Sequence, residues 1–286
     1  MFESWKSKLP IKNIKEIHSV SGGDVNDAYK VTTSESTYFL LIQKNHSEKF
    51  FAAEIAGLHA FKEAGIRAPE VINSGEIDGD AFLILSYLRE GTGGSQQALG
   101  EMVAELHLNH QPDGRFGFHL PSDFENIEFN NDWTETWAEI FIERRLDVLK
   151  DLILQKGHWE KADLEIYNSV RAVIVDSLQN HQSEPSLLHG DLWGGNYMFL
   201  TDGTPALFDP APLFGDREFD LGATKVFGGF TDEFYEMYHK VYPLQDGADK
   251  RIVFYEFYLL LLHLAKFGTV YKAGVSRIMK EILSNQ

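Results

Sequence analysis

The sequence predicts an α+β fold in two lobes, a small N-terminal lobe rich in β-strands over residues 1–88 and a larger, mainly helical lobe over residues 89–286. Three observations carry this. Apolar and polar residues alternate at period two in the first part of the chain. They recur at i, i+3, i+4 and i+7 in the rest. A linker, Gly91-Thr92-Gly93-Gly94-Ser95, follows the change of pattern.

Taken in order, Ile14 to Val20 and Asp27 to Thr33 alternate around Ser21-Gly22-Gly23-Asp24-Val25-Asn26, and Thr37 to Lys44 is a β-branched and aromatic run, so three strands are expected. Phe50 to Ala64 reads as a helix with Phe51, Ile55, Leu58 and Phe61 on one face, closed by Gly65. Pro69 to Gly75 and Ala81 to Leu88 supply two more strands. Beyond the linker, Leu99, Met102, Val103 and Leu106 mark one helical face, and further helices are expected at Trp133 to Leu154, Lys161 to Asn180, Asp232 to Val241 and Asp249 to Phe267. Phe254 to Leu264 is the most apolar run. It contains Glu256 and His263 and falls well short of the roughly 20 apolar residues a bilayer requires, so it is expected as a buried core helix.

Composition excludes several classes of function. A net charge of −17 repels phosphodiester backbones, which argues against nucleic acid as a partner. The absence of cysteine removes disulfides and thiolate metal sites and suits a reducing compartment. Met1-Phe2-Glu3-Ser4-Trp5-Lys6 leads into no apolar export segment, so a cytoplasmic protein with no membrane partner is expected. Nothing in the sequence speaks to oligomeric state.

The chemistry concentrates in His189-Gly190-Asp191-Leu192-Trp193-Gly194-Gly195-Asn196 and, beyond it, Leu207-Phe208-Asp209-Pro210-Ala211. Asp191 is a carboxylate able to accept a hydroxyl proton. Asn196, five residues on, and Asp209 offer the oxygens that bind magnesium in a nucleoside triphosphate site. Between them, two apolar runs flank Thr201-Asp202-Gly203-Thr204, and the Asp-Gly pair signals a hairpin that returns Asp209 toward the loop. The plainer alternative is that these residues cap turns and end a strand. The pattern H-x-D-x-x-x-x-N followed by D-x-x is close to the catalytic and metal-binding loops of protein kinases, but Gly190 stands where Arg is usual and Asp209-Pro210-Ala211 replaces D-F-G. Those departures point to kinases of small molecules.

Together with Gly215-Asp216-Arg217-Glu218-Phe219-Asp220, Phe227-Gly228-Gly229-Phe230, Gly22-Gly23-Asp24-Val25-Asn26-Asp27 and Arg144-Arg145-Leu146, these blocks resemble the fructosamine-3-kinase family, within the aminoglycoside phosphotransferase and protein-kinase-like group. The resemblance implies a bilobal kinase-like fold, ATP and Mg²⁺ as cofactors, and a ketoamine, free or protein-bound, as acceptor. It implies Asp191 as catalytic base, Asn196 and Asp209 as metal ligands, and Trp193 against the sugar. Another small alcohol as acceptor, such as an aminoglycoside, choline or a ribose derivative, and a non-catalytic nucleotide-binding protein are the alternatives.

The remaining assignments follow from kinase architecture. Gly22 and Gly23 let backbone amides approach phosphate. Lys44, ending the third strand, is expected to pair with Glu54 and hold phosphates, with Lys49 as substitute, although the family's Phe-Val-Lys pattern puts the lysine nearer Leu41. Ser86, Tyr87 and Leu88 are expected to carry the adenine. Asp220 is expected to tie the catalytic loop, and His107 and His189 to be structural. Asp216 either faces the acceptor's amine or serves the fold.

Overall fold

The computed structural model describes residues 5–20, 27–124 and 127–285. The chain forms two compact units, one of residues 1–95 with 198–210 and one of residues 96–197 with 211–286. The first boundary therefore falls at 95 rather than 88, and the hairpin before Asp209 belongs with the first unit.

That unit is built on an antiparallel sheet in the order β1-β2-β3-β5-β4, with β1 at Ile14–Ser19, β2 at Asp27–Thr33, β3 at Thr37–Gln43, β4 at Val71–Ile77 and β5 at Asp80–Ser86. Asp78 and Gly79 join the last two with φ of 56° and 87°, the mirror-image turn that matches strand twist. Alternation gives the sheet two apolar faces. Leu40 and Ile42 pack with Tyr29, Val31, Phe82 and Ile84 on one. Phe39 and Leu41 turn the other way, toward Phe51, Leu83, Leu85 and Leu58 of α1 (Ala52–Glu63).

The second unit is mainly helical: α2 (Gln96–His107), α3 (Asp147–Gln155), α4 (Lys161–Gln179), α5 (Glu218–Val226), α6 (Asp232–Val241), α7 (Ala248–Phe267) and α8 (Lys272–Ser284). α7 is apolar nearly all round and is buried as a core helix must be, packed against α5 and α8. A short antiparallel pair, Ser186–Leu188 with Leu213–Gly215, sets the height of the two loops that follow and precede it. The single helix expected at Trp133 to Leu154 instead opens as a π-helix over Glu139–Leu146 before α3 begins. Its wider turn lets adjacent Arg144 and Arg145 both reach residues 130–132. Arg144 donates to the Asp132 carbonyl at 2.6 Å, and buried Arg145 donates to Asn130 and Asn131. Among the described residues no helix is long and apolar enough to cross a membrane.

Candidate active site

The loop from His189 to Asn196 follows the strand Ser186–Leu188 and is fixed from below by one carboxylate. Asp220, fully buried on α5, accepts the His189 amide at 2.7 Å on one oxygen and the Gly190 amide at 2.9 Å on the other. His107 bridges Asp220 and the Tyr238 hydroxyl at 3.1 and 2.8 Å, which explains why this histidine is buried. Gly190 has φ of 83°, and a Cβ there would lie 1.7 Å from the Ala211 carbonyl oxygen. No side chain fits, so the glycine at the usual kinase arginine position is a steric requirement. At the loop's far end, buried Asn196 donates its side-chain amide to the Asp191 carbonyl at 2.8 Å and to the Asp191 carboxylate at 3.1 Å. The sequence places these residues five apart; the fold joins them directly.

Asp191 opens onto a narrow cleft lined by Gly190, Phe219, Ala223, Tyr258, Leu259 and Leu262. Tyr258 is 4% exposed, and its buried hydroxyl lies against the Arg145 guanidinium. Burial first, and then the Asp191 charge, raise its pKa, so the phenol stays protonated. Reading α7 only as apolar core hides this residue. Trp193 is 41% exposed and meets the Phe227 ring edge-on at 6.5 Å.

The block after the second strand serves the fold. Asp216 is buried and accepts from His181 (2.9 Å), Ser183 (2.6 Å), the Glu218 amide (2.9 Å) and the Tyr255 hydroxyl (3.2 Å). Burial works to raise its carboxyl, but the His181 hydrogen bond and charge, with Ser183 and the Glu218 amide, outweigh it and hold the group below its ordinary value. Glu218 forms a two-pronged pair with Arg251 at 2.7 and 2.8 Å. Arg217 donates to the Tyr242 carbonyl at 2.7 Å and lies over the Tyr242 ring. Every oxygen and guanidinium of Asp216, Arg217 and Glu218 is thus engaged within the protein, and the structural role, not contact with an acceptor amine, fits Asp216.

In the first unit, Asp209 has φ of 56°, a left-handed conformation that costs a non-glycine residue energy and is retained where surrounding structure requires it. The protein crowded around its carboxyl raises the pKa. Glu54, in the first turn of α1, is raised well above the ordinary value by burial and then by the Asp209 charge. Lys44 does not pair with it. Exposed Lys44 lies 2.5 Å from Asp27, which shares the sheet face of Tyr29 and Val31, away from α1. On the face toward α1 the β3 residues are Phe39 and Leu41, and among the described residues no cation pairs with Glu54. The cation on that face is Lys30 of β2, paired in register with Phe39, its ammonium 4.9 Å from the centre of the Tyr87 ring. Strand alternation is the signal that would have found it. Ser86 is held by Glu70, whose amide donates to the Ser86 hydroxyl at 2.8 Å, with Tyr87 and Leu88 half-buried beyond. Gly22 and Gly23 lie outside the described residues.

Comparison with known proteins agrees over the whole length. The profile of the fructosamine kinase family matches residues 3–285. A Staphylococcus aureus protein named "Probable ketoamine kinase" is 57% identical over 285 residues, covering 100% of this chain and 99% of its own. The chloroplastic protein-ribulosamine 3-kinase of Oryza sativa is 32% identical, covering 94% and 79%. Among solved structures, one named "Putative fructosamine-3-kinase", from Haemophilus somnus, superposes with a TM-score of 0.84 at 27% identity, covering 94% of this chain and 92% of that one. An aminoglycoside phosphotransferase solved with ADP and hygromycin B, TM-score 0.69 at 14% identity over 93% and 94%, shares the fold alone. With its loop geometry and a family match spanning nearly every residue, the chain belongs to the fructosamine kinase family, enzymes of the protein-kinase-like fold.

Proposed function

We propose that the protein is a cytoplasmic kinase that uses ATP and Mg²⁺ to phosphorylate a sugar hydroxyl of ketoamines, free or protein-bound, and so initiates removal of the sugar. The observation that carries this reading is the Asp191–Asn196 pair on a loop anchored by Asp220. Asp191 accepts the proton of the attacking hydroxyl as its oxygen bonds to the γ-phosphorus and the bond to ADP breaks. An aspartate is a weak base at neutral pH, but phosphoryl transfer through a loose transition state asks mainly for position. The Asn196 hydrogen bond and the Asp220 bonds to the backbone at 189–190 support that reading.

Asp209 and Asn196 are hard oxygen donors of the kind Mg²⁺ takes, and a crowded, strained Asp209 suits a group meant to meet a cation. Bound Mg²⁺ would neutralise phosphate charge. Lys30, rather than Lys44, is assigned the nucleotide's remaining negative charge, with Gly22, Gly23 and the Ser86–Leu88 segment as its other neighbours. Trp193 is assigned the apolar face of the sugar.

Phosphorylation next to the keto carbon makes the product unstable. Its enaminol tautomer carries the new phosphate in an allylic position, from which phosphate leaves far more readily than hydroxide. Free amine and a deoxyosone follow. The test is to incubate enzyme, Mg-ATP and a ribose- or fructose-derived ketoamine and to follow ADP, inorganic phosphate and amine by time-resolved NMR. All three should appear, phosphate and amine trailing ADP. ADP with a stable phosphoester would assign the enzyme another alcohol, and no ADP with any acceptor would end the catalytic reading.

A further inference from the structure

Eight large apolar side chains are exposed among the described residues, and four of them, Trp193, Phe227, Phe267 and Val270, gather at one place. Singly exposed apolar groups are ordinary, whereas a contiguous group marks a surface that meets something. The rings form an unbroken strip. Trp193 meets Phe227 at 6.5 Å, Phe227 meets His263 at 4.6 Å, and His263 meets Phe267 and Tyr271 at 5.4 and 5.1 Å, with Val270 beside Tyr271 in sequence.

The strip begins at the catalytic loop. Ala223 and Leu259 line the cleft beside Asp191, and residues four apart share a helix face. One turn beyond them stand Phe227, where α5 ends, and His263 of α7, with Phe267 a further turn along. Trp193 flanks the same start, two residues after Asp191. A Cβ on Gly195 would lie 2.2, 2.5 and 2.6 Å from three adjacent atoms of the Trp193 six-membered ring, the spacing of a point above the ring and not off its edge. The Gly195 backbone therefore backs one face of the indole, and the exposed opposite face is a platform.

The loop that carries Phe227 is built to hold it there. Gly228 and Gly229 have φ of 73° and 94°, and a Cβ on Gly229 would come within 2.8 Å of the Gly194 Cα, so the two loops touch backbone to backbone as only glycine permits. Gln96 donates to the Gly229 carbonyl at 3.0 Å, and Phe230 packs on Phe234 at 4.8 Å. His263 is fixed as well, its Nδ1–H donating to the Leu259 carbonyl at 2.8 Å, and burial lowers its pKa, so at neutral pH the ring adds no charge to the strip.

We infer that this strip receives the hydrocarbon of the acceptor's amine half, and that Phe227 is a specificity-determining residue. The inference rests on the ketoamine-kinase reading and narrows the substrate to ketoamines formed on amines with an apolar chain. A ketoamine joins a sugar to an amine through nitrogen. An acceptor whose sugar faces Asp191 along Trp193 sends its other half away from the loop, and the rings that continue from Trp193 offer that half apolar cover.

Fructose-derived ketoamines of methylamine and of hexylamine differ only in this hydrocarbon, so the ratio of their kcat/KM values with Mg-ATP reads the strip. The parent should prefer the hexylamine compound by about tenfold or more, since each methylene fully removed from water contributes about fourfold. Phe227→Ala should cut that preference about two- to tenfold, the range for one aromatic contact, and Phe227→Leu by less. Phe267→Ala, farther from the loop and exposed, should cut it by a smaller factor than Phe227→Ala. A parental ratio near one, or a ratio unchanged in Phe227→Ala and Phe267→Ala, would overturn the inference. An equal loss for both compounds would show Phe227 acting through Trp193 and would overturn it too. So would sedimentation of the parent as a dimer that these variants dissociate, which would make the strip a subunit contact. If neither compound yields ADP, the kinase reading falls and this inference with it, whereas ADP from both at equal efficiency sinks this inference alone.

Discussion

Asp220 holds Gly190 across 30 residues of sequence, its carboxylate oxygen 2.9 Å from the Gly190 amide, while its other oxygen takes the amide before it. Both bonds are charge-assisted and fully buried, which makes each stronger than an ordinary one. Asp220→Asn keeps the shape but turns one acceptor into a donor facing an amide. Loss of about 1.5–3 kcal/mol of stability is expected, seen in denaturant unfolding, together with a lower kcat because the Asp191 backbone loosens. Unfolding at the parental midpoint would show that the clamp is dispensable.

Asp191→Asn should retain fold and nucleotide affinity but lose at least the roughly 10²-fold that general-base assistance contributes. Single-turnover phosphoryl transfer measures this, and a rate within tenfold of the parent would remove Asp191 from the role. Asp209→Asn should act earlier, abolishing magnesium-dependent nucleotide binding in calorimetry, since an amide cannot balance the cation's charge.

The two lysines should separate cleanly. Lys30→Met is expected to raise the KM for ATP, because Lys30 shares the sheet face of Phe39 and Leu41. Lys44→Met removes an exposed, solvent-screened pair with Asp27 on the opposite face and should leave ATP kinetics alone. Steady-state kinetics at saturating ketoamine decides, and the reverse pattern would restore Lys44 as the phosphate lysine. Glu54→Gln should raise the thermal midpoint of the nucleotide-free protein at neutral pH, since it removes one of two repelling carboxylates.

Stability at low pH should track Asp216. Its folded-state pKa lies below the ordinary 3.8, so the unfolded chain binds the proton first. The stabilisation is therefore complete above about pH 4 and is lost as the pH falls through the lower folded-state value. Asp216→Asn should lower the midpoint at neutral pH and flatten the acid limb. A scan of thermal midpoint from neutral to acid pH checks both, and an unaltered acid limb would assign the loss to other carboxylates.

Much of the candidate site was legible because it is local. Asp191 and Asn196 are five apart on one loop, and the Asp202-Gly203 turn announces the hairpin before Asp209. Asp220 could be expected to tie the loop, and it does. Lys44 misled because distance along a strand was weighed without its side: it has the parity of Leu40 and Ile42, whose face turns from α1. Helix α5 escaped notice because Glu218 and Asp220 are polar yet buried, so no apolar stripe marks it. Asp216 depends on His181, Ser183 and Tyr255, partners up to 39 residues away that only the folded chain assembles.

The smaller unit is discontinuous: residues 198–210 complete what residues 1–95 begin. On the ribosome, where domains tend to fold from the N-terminus as they emerge, this one cannot finish until residue 210 of 286 has been made. The strand at Pro205–Leu207, whose Leu207 amide donates to the Arg67 carbonyl at 2.9 Å, arrives after the whole of α2 to α4. Release of the nascent chain before that point would leave the Arg67 edge open, and severing the gene after residue 95 would yield a first fragment that lacks Asp209 altogether.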